Sequence, residues 1–168
     1  MLIRFLVLTL FSITCVTQEG EFYSPPTIEK CLKKAQSNAG QLVLLKERNP
    51  FYLRGDFRGL GVADYAVTVR IPGGDRRNGV LVCAADGKTF LLGGSAGHPF
   101  SDMAEDRFVA PYWDVMSKER VRGMREEKAN VPNPVPDPRG ESIAMIWEDG
   151  IALIYWDGKQ FKWAGAKH

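Results

Sequence analysis

Ser142-Ile143-Ala144-Met145-Ile146-Trp147-Glu148-Asp149-Gly150-Ile151-Ala152-Leu153-Ile154-Tyr155-Trp156-Asp157-Gly158-Lys159-Gln160-Phe161-Lys162-Trp163 is the stretch on which the fold turns. Asp149-Gly150 and Asp157-Gly158 divide it into three apolar runs, at 142–148, 151–157 and 159–164, and Asp-Gly between alternating apolar runs is the signature of a two-residue β-hairpin. In the first two runs both side-chain sets are apolar. Ile143, Met145 and Trp147 alternate with Ala144 and Ile146, and Ile151, Leu153 and Tyr155 alternate with Ala152, Ile154 and Trp156. Strands of that kind must be covered on both sides. The last run puts Phe161 and Trp163 on one face and Gln160 and Lys162 on the other, as a half-exposed edge should.

Towards the N-terminus a third Asp-Gly pair, Asp86-Gly87, separates runs at 79–85 and 88–93, and further strands are predicted at 41–47 and 63–71. Helical patterns do not alternate with these runs, which argues for an antiparallel rather than a parallel sheet. The chain is too short for the several blades of a propeller. Pro25-Pro26-Thr27 after a possible Ser24 cap opens a helix that Gly40 closes, with Ile28, Cys31, Leu32 and Ala35 as its apolar stripe. The expectation is an α+β fold: an antiparallel β-meander sheet with this N-terminal helix packed on one face and a long loop segment on the other.

That segment, 94–140, is far longer than a turn requires, and loops of such length are usually functional or partly disordered. Tyr112-Trp113-Asp114-Val115-Met116 in its middle is a short strand or helix. Lys118, Arg120, Arg122, Arg125 and Lys128, interleaved with Glu119, Glu126 and Glu127, form a solvated, self-neutralising face. Pro132, Pro134, Pro136 and Pro138 at every second residue make an extended, stiff strap back to the sheet.

Arg4 followed by the apolar run from Phe5 to Val16 has the pattern of a secretory signal, with residues 1–17 removed and 18–168 left as one domain. The run is shorter than the roughly twenty residues of a membrane-spanning helix. Cys15 invites a lipoprotein reading, but Ser12-Ile13-Thr14 before it lacks the leucine of a lipobox. The protein is expected to be exported, to the periplasm or the medium, with no membrane attachment after processing. Losing Arg4 takes one from 22 basic residues against 20 acidic ones, and a balance this close to neutral gives no reason to expect nucleic acid as a partner.

Gly55-Asp56-Phe57-Arg58-Gly59-Leu60-Gly61-Val62-Ala63-Asp64-Tyr65-Ala66-Val67-Thr68-Val69-Arg70-Ile71 is a glycine-rich loop delivering the backbone into a strand. It resembles the Asp-Gly loop followed by Asp-Tyr-Ala-Val in FG-GAP and VCBS-type repeats. The resemblance carries over Asp56, Gly61 and Asp64, and implies that the two aspartates help to hold calcium. Counted from Asp56 as position one of a calcium loop, position six is Gly61, while Arg58 and Leu60 occupy positions three and five where ligands should be. A guanidinium at Arg58 can instead bridge Asp56 and Asp64, and the expected loop is structural and free of metal or other cofactor.

Cys31 and Cys83 both fall on apolar faces, and in an oxidising compartment they form a disulfide or remain two buried free thiols. Tyr155, Trp156, Phe161 and Trp163 line a ligand groove or belong to the core. Ser95, His98 and Asp102 spell a catalytic triad on paper, but all three lie on one Gly/Ser/Pro-rich loop without the rigid, separate supports that a triad needs. No zinc spacing, phosphate loop or dinucleotide fingerprint occurs, and no catalytic residue is assigned. These features point to an exported, non-catalytic binding or inhibitory protein acting on a protein or glycan partner in the cell envelope or medium. The alternatives are a small hydrolase using the 94–116 loop and a structural protein of the envelope.

Overall fold

The computed structural model describes residues 24–71, 77–93, 112–126, 132 and 134–165. The leader at 1–17 with Cys15, and the whole of 94–111 with the Ser95, His98 and Asp102 constellation, lie outside the described residues. In chain order the elements are α1 (Pro26–Ala39), β1 (Val43–Leu44), β2 (Tyr52–Gly55), β3 (Asp64–Ile71), β4 (Arg77–Cys83), β5 (Thr89–Gly93), β6 (Tyr112–Met116), α2 (Lys118–Gly123) running into a 3-10 turn at Met124–Glu126, β7 (Ser142–Trp147), β8 (Gly150–Trp156) and β9 (Phe161–Gly165).

These strands do not form one meander. They build two antiparallel sheets, one with β1-β3-β4-β5 in order and β2 also paired to β3, the other with β6-β7-β8-β9 in order. Along β3, β2 pairs with Asp64–Val67 and β1 with Val69 and Arg70, so the two short strands follow each other on one edge. The division solves the problem posed by strands apolar on both faces. Leu53, Ala66, Val80, Val82 and Leu92 of the first sheet meet Trp113, Ile143, Met145, Ile154 and Phe161 of the second in one buried cluster, with Phe57 between them. The opposite face of the first sheet, with Val67, Val69, Ile71, Leu81 and Cys83, packs on Ile28, Cys31 and Ala35 of α1. The opposite face of the second sheet, with Ala144 and Leu153, packs on Val121 and Met124. Fully burying one such aliphatic or aromatic side chain is worth about 1.5–3 kcal/mol, so each of the three interfaces contributes substantially.

All three Asp-Gly pairs sit at hairpin turns, but none forms the two-residue centre that the sequence suggests. Trp147 pairs with Gly150, which makes Glu148 and Asp149 the central residues. At the last hairpin the Asp157 amide donates to the Gln160 carbonyl at 3.1 Å, placing Gly158 and Lys159 at the centre. The Asp157 carboxylate takes the Lys159 and Gln160 amides at 2.8 and 2.9 Å, so side-chain capping fixes the register. At 84–88 the Gly87 amide donates to the Ala84 carbonyl and the Ala84 amide to the Lys88 carbonyl, with Gly87 at φ 78°, a three-residue loop ending in a glycine bulge.

Further differences concern short elements. Tyr52–Gly55 is a strand that the sequence reading passes over, and Tyr112–Met116 is the first strand of the second sheet. Ser24 is not the cap of α1: the N-cap is Pro25, without a side-chain cap, and the buried Ser24 hydroxyl has no partner among the described residues. The charged run after β6 starts as a helix capped by Ser117, whose hydroxyl accepts from the Arg120 amide at 3.2 Å. Along the proline strap Pro136, Pro138 and Gly140 are buried and alternate with the exposed Asp137 and Arg139, while Pro134 before them is exposed and Pro132 buried. A disulfide joins Cys31 of α1 to Cys83 of β4 with a Cα–Cα separation of 5.6 Å. Among the described residues no helix is long and apolar enough to cross a membrane.

Candidate functional site

β2 ends at Gly55, and the chain turns back into β3 through residues whose side chains each have a fixed task. Phe57 enters the inter-sheet core and is fully buried. Arg58 turns the other way and is only 5% exposed. Its Nε and Nη2 donate to the two carboxylate oxygens of the fully buried Asp64 at 3.1 and 3.2 Å, and its Nη1 donates to Asp86 at 3.0 Å. Asp64 also accepts the Ala85 amide at 2.8 Å. One guanidinium thus ties the loop, the first residue of β3 and the β4–β5 turn together. Bidentate pairing of this kind adds orientation as well as energy.

The bridge differs from the expected one in a single partner. Asp56 is not on the guanidinium: its carboxylate accepts the Leu60 and Gly61 amides at 2.8 and 2.7 Å, closing the loop on itself. The second carboxylate on Arg58 belongs to Asp86, which the sequence offers only as half of a turn signal. Asp56 and Asp64 therefore satisfy separate groups of donors. Among the described residues no three His, Cys, Asp or Glu side chains converge in a way that could hold a metal ion.

The main chain of the loop is docked on the second sheet's strap. The Asp56 amide donates to the Glu141 carboxylate at 2.7 Å, and the Glu141 amide returns a bond to the Asp56 carbonyl at 2.9 Å. Gly59, at φ 69°, lies so close to the Arg139 carbonyl that a Cβ would collide with it, and a Cβ on Gly140 would collide with the Asp56 carbonyl. What remains outside is the tip. Leu60 is 61% exposed and Val62 47%, on either side of Gly61 at φ 75°.

Electrostatics reinforce the anchor. Burial disfavours the charge on Arg58, but the hydrogen bonds and charges of Asp64 and Asp86 outweigh it and hold the guanidinium pKa above its ordinary value. The hydrogen bond from Arg58, joined by the Lys88 amide, lowers Asp86 from 3.8 to about 2. Lys88 Nζ lies 3.3 Å from the same carboxylate.

Beyond the 84–88 turn the surface opens into a cleft of about 250 Å³ between α1 and the end of β4. Both disulfide cysteines, Ala85 and the side chains of Lys30, Lys34 and Lys88 line it. Lys34 Nζ donates to the Gly87 carbonyl at 2.7 Å, tying the helix to the turn.

Three of the four aromatic groove candidates, Trp156, Phe161 and Trp163, are brought to one face, where they pack against the inter-sheet core, and Tyr155 is not among them. In the β8–β9 ladder Trp156 pairs with Phe161 and Ile154 with Trp163, which puts those residues on the side facing the first sheet. Phe161 is buried and meets Trp156 and Phe90 edge to face at ring-centroid distances of 5.0 and 5.3 Å, while Trp163 meets Trp147 at 6.4 Å. Tyr155 is opposite Lys162 on the other face. The exposed Leu60-Gly61-Val62 tip did carry a signal, since apolar residues between glycines at a loop centre have no core to serve. Compared with family models, curated proteins and solved structures, the chain finds no match.

Proposed function

We propose that this chain is an exported, non-catalytic binding protein whose partner is a protein, and that the Leu60-Gly61-Val62 tip is its contact. The observation that supports this most directly is the pairing of an exposed aliphatic tip with a backbone held by the Asp56, Arg58 and Gly59 contacts. A flexible loop loses freedom when it docks, and each immobilised side chain costs about 0.5–1.5 kcal/mol. This tip is fixed beforehand, so burial of Leu60 and Val62 contributes to affinity with little ordering cost. Aliphatic side chains favour a protein pocket over a sugar ring, which prefers aromatic faces. The disulfide supports export, because such bonds persist in oxidising compartments.

The test places a photo-crosslinking amino acid at position 60 of the protein expressed with its leader in its own cells. A discrete protein adduct is expected from position 60, and loss of that adduct when Val62 is changed to Asp. Adducts from a probe at Trp163 but not at position 60 would move the contact to the aromatic end. A position-60 probe that captures nothing in either envelope or medium would end the reading.

A further inference from the structure

Three lysines converge on a cleft that the loop anchor does not need. Lys30, Lys34 and Lys88 line it together with the Cys31–Cys83 disulfide, Ala84, Ala85 and Thr27. Lys34 is committed to the Gly87 carbonyl, and Lys88 shares Asp86 with Arg58. Lys30 makes no ion pair among the described residues. No carboxylate lines the cleft itself. The first turns of α1 border it, and no side chain caps that helix end, so the helix dipole adds to the positive field.

Size narrows the occupant. At about 250 Å³ the cleft is smaller than the roughly 300–1,000 Å³ that encloses a whole small-molecule ligand, and suits a single inserted side chain. Its lining has no aromatic face on which a sugar could stack. The loop that carries the apolar tip is tied to the 84–88 turn, which borders the cleft, through the Arg58–Asp86 contact at 3.0 Å.

We propose that the cleft between α1 and the β4–β5 turn receives a glutamate or aspartate side chain of the protein partner, its carboxylate held by Lys30 and Lys88 beside the disulfide. This rests on the protein-partner reading of the Leu60-Gly61-Val62 tip. The partner surface would then combine an aliphatic pocket with a neighbouring acidic residue, and charge complementarity would set register while the tip supplies apolar burial.

An octaglutamate peptide, titrated into the isotope-labelled mature protein at low salt and followed by amide NMR, tests the cleft. Saturable shifts are expected at 27–34 and 83–88. The affinity should fall about tenfold in Lys30→Gln with Lys88→Gln, as for two partly screened ion pairs. Both lysines are exposed, so the double variant should melt with the parent. No saturable shift, shifts outside those segments, or an unchanged affinity in the double variant would overturn the inference. An oligogalacturonate of equal charge binding tenfold more tightly than the peptide would overturn it in favour of an acidic glycan. If the position-60 adduct forms and is undiminished by the lysine double variant, the cleft inference fails alone. If no adduct forms from position 60, both fall together.

Discussion

At the scale of single residues, Arg58 and Asp64 carry the sharpest consequence. Taking two charges out of water is unfavourable, and here three hydrogen bonds to two carboxylates offset it. Removing the guanidinium leaves the buried Asp64 charge facing only the Ala85 amide. Arg58→Ala should therefore lower unfolding stability by about 3–5 kcal/mol, far more than the loss of an exposed ion pair, as a shift of the urea midpoint. The anchor is a fixed cation, so melts of the parent in calcium and in chelator should coincide. A second residue-scale expectation concerns acid. Asp86 and Asp157 both fall from 3.8 to about 2 in the folded protein, the first through Arg58 and the second through the Gln160 and Lys159 amides. Carboxyl groups with a depressed folded pKa contribute stability that is complete above about 4 and is lost as pH drops towards 2. Stability measured against pH should fall through that window. Asp86→Asn combined with Asp157→Asn should flatten the fall, and an unchanged slope would show that other groups control it.

Elements show where local chemistry and long-range contact part company. Gly59 and Gly61 share a left-handed backbone at φ 69° and 75°, so alanine at either meets the same conformational cost of about 1–2 kcal/mol. Only Gly59 is pressed against the Arg139 carbonyl, whereas nothing lies within reach of a Cβ on Gly61. Gly61→Ala should cost about that backbone amount, and Gly59→Ala distinctly more, in parallel thermal melts. Equal losses would mean that the strap gives way. The sequence made Gly61 the pivotal glycine, because a turn position can be counted along the chain. Contact with a segment eighty residues away cannot be counted, and Gly59 went unread. The same distinction separates Arg58–Asp64, six residues apart and legible, from Arg58–Asp86, which requires knowing that β4 pairs with β3. Hairpins were located correctly because Asp-Gly is local chemistry. Their registers were off by a residue because the carboxylate of Asp157 and the bulge at Gly87 choose among turns that the dipeptide alone permits.

For the whole molecule, apolar runs on both strand faces demanded a cover on each side, and the expected helix and long segment cover only the outer faces, at Ile28, Cys31 and Ala35 and at Val121 and Met124. A second sheet satisfies the demand as well as a loop does, and β6 supplied its first strand from a segment without a clear strand pattern. Of the long insertion, Val121 and Met124 cover Ala144 and Leu153, and the rest of α2 is solvated as its mixed charges suggest. Met124→Ala should cost about 2–5 kcal/mol by opening a cavity on that face, measured by denaturant unfolding.

Every strand ladder from β1 to β5 is closed before residue 94, and every ladder from β6 to β9 opens after residue 111. Among the described residues the halves are joined by side-chain packing around Phe57, by the Trp113 indole donating to the Pro50 carbonyl and by the exchange between Asp56 and Glu141, and none of β1–β5 pairs with any of β6–β9. The protein is in this sense a heterodimer whose two subunits happen to be covalently continuous. Its halves, produced as separate chains divided between β5 and β6, should find each other and reconstitute the inter-sheet core. Phe57→Asp in the first half should abolish that association while leaving the hairpin pairings within each half to form.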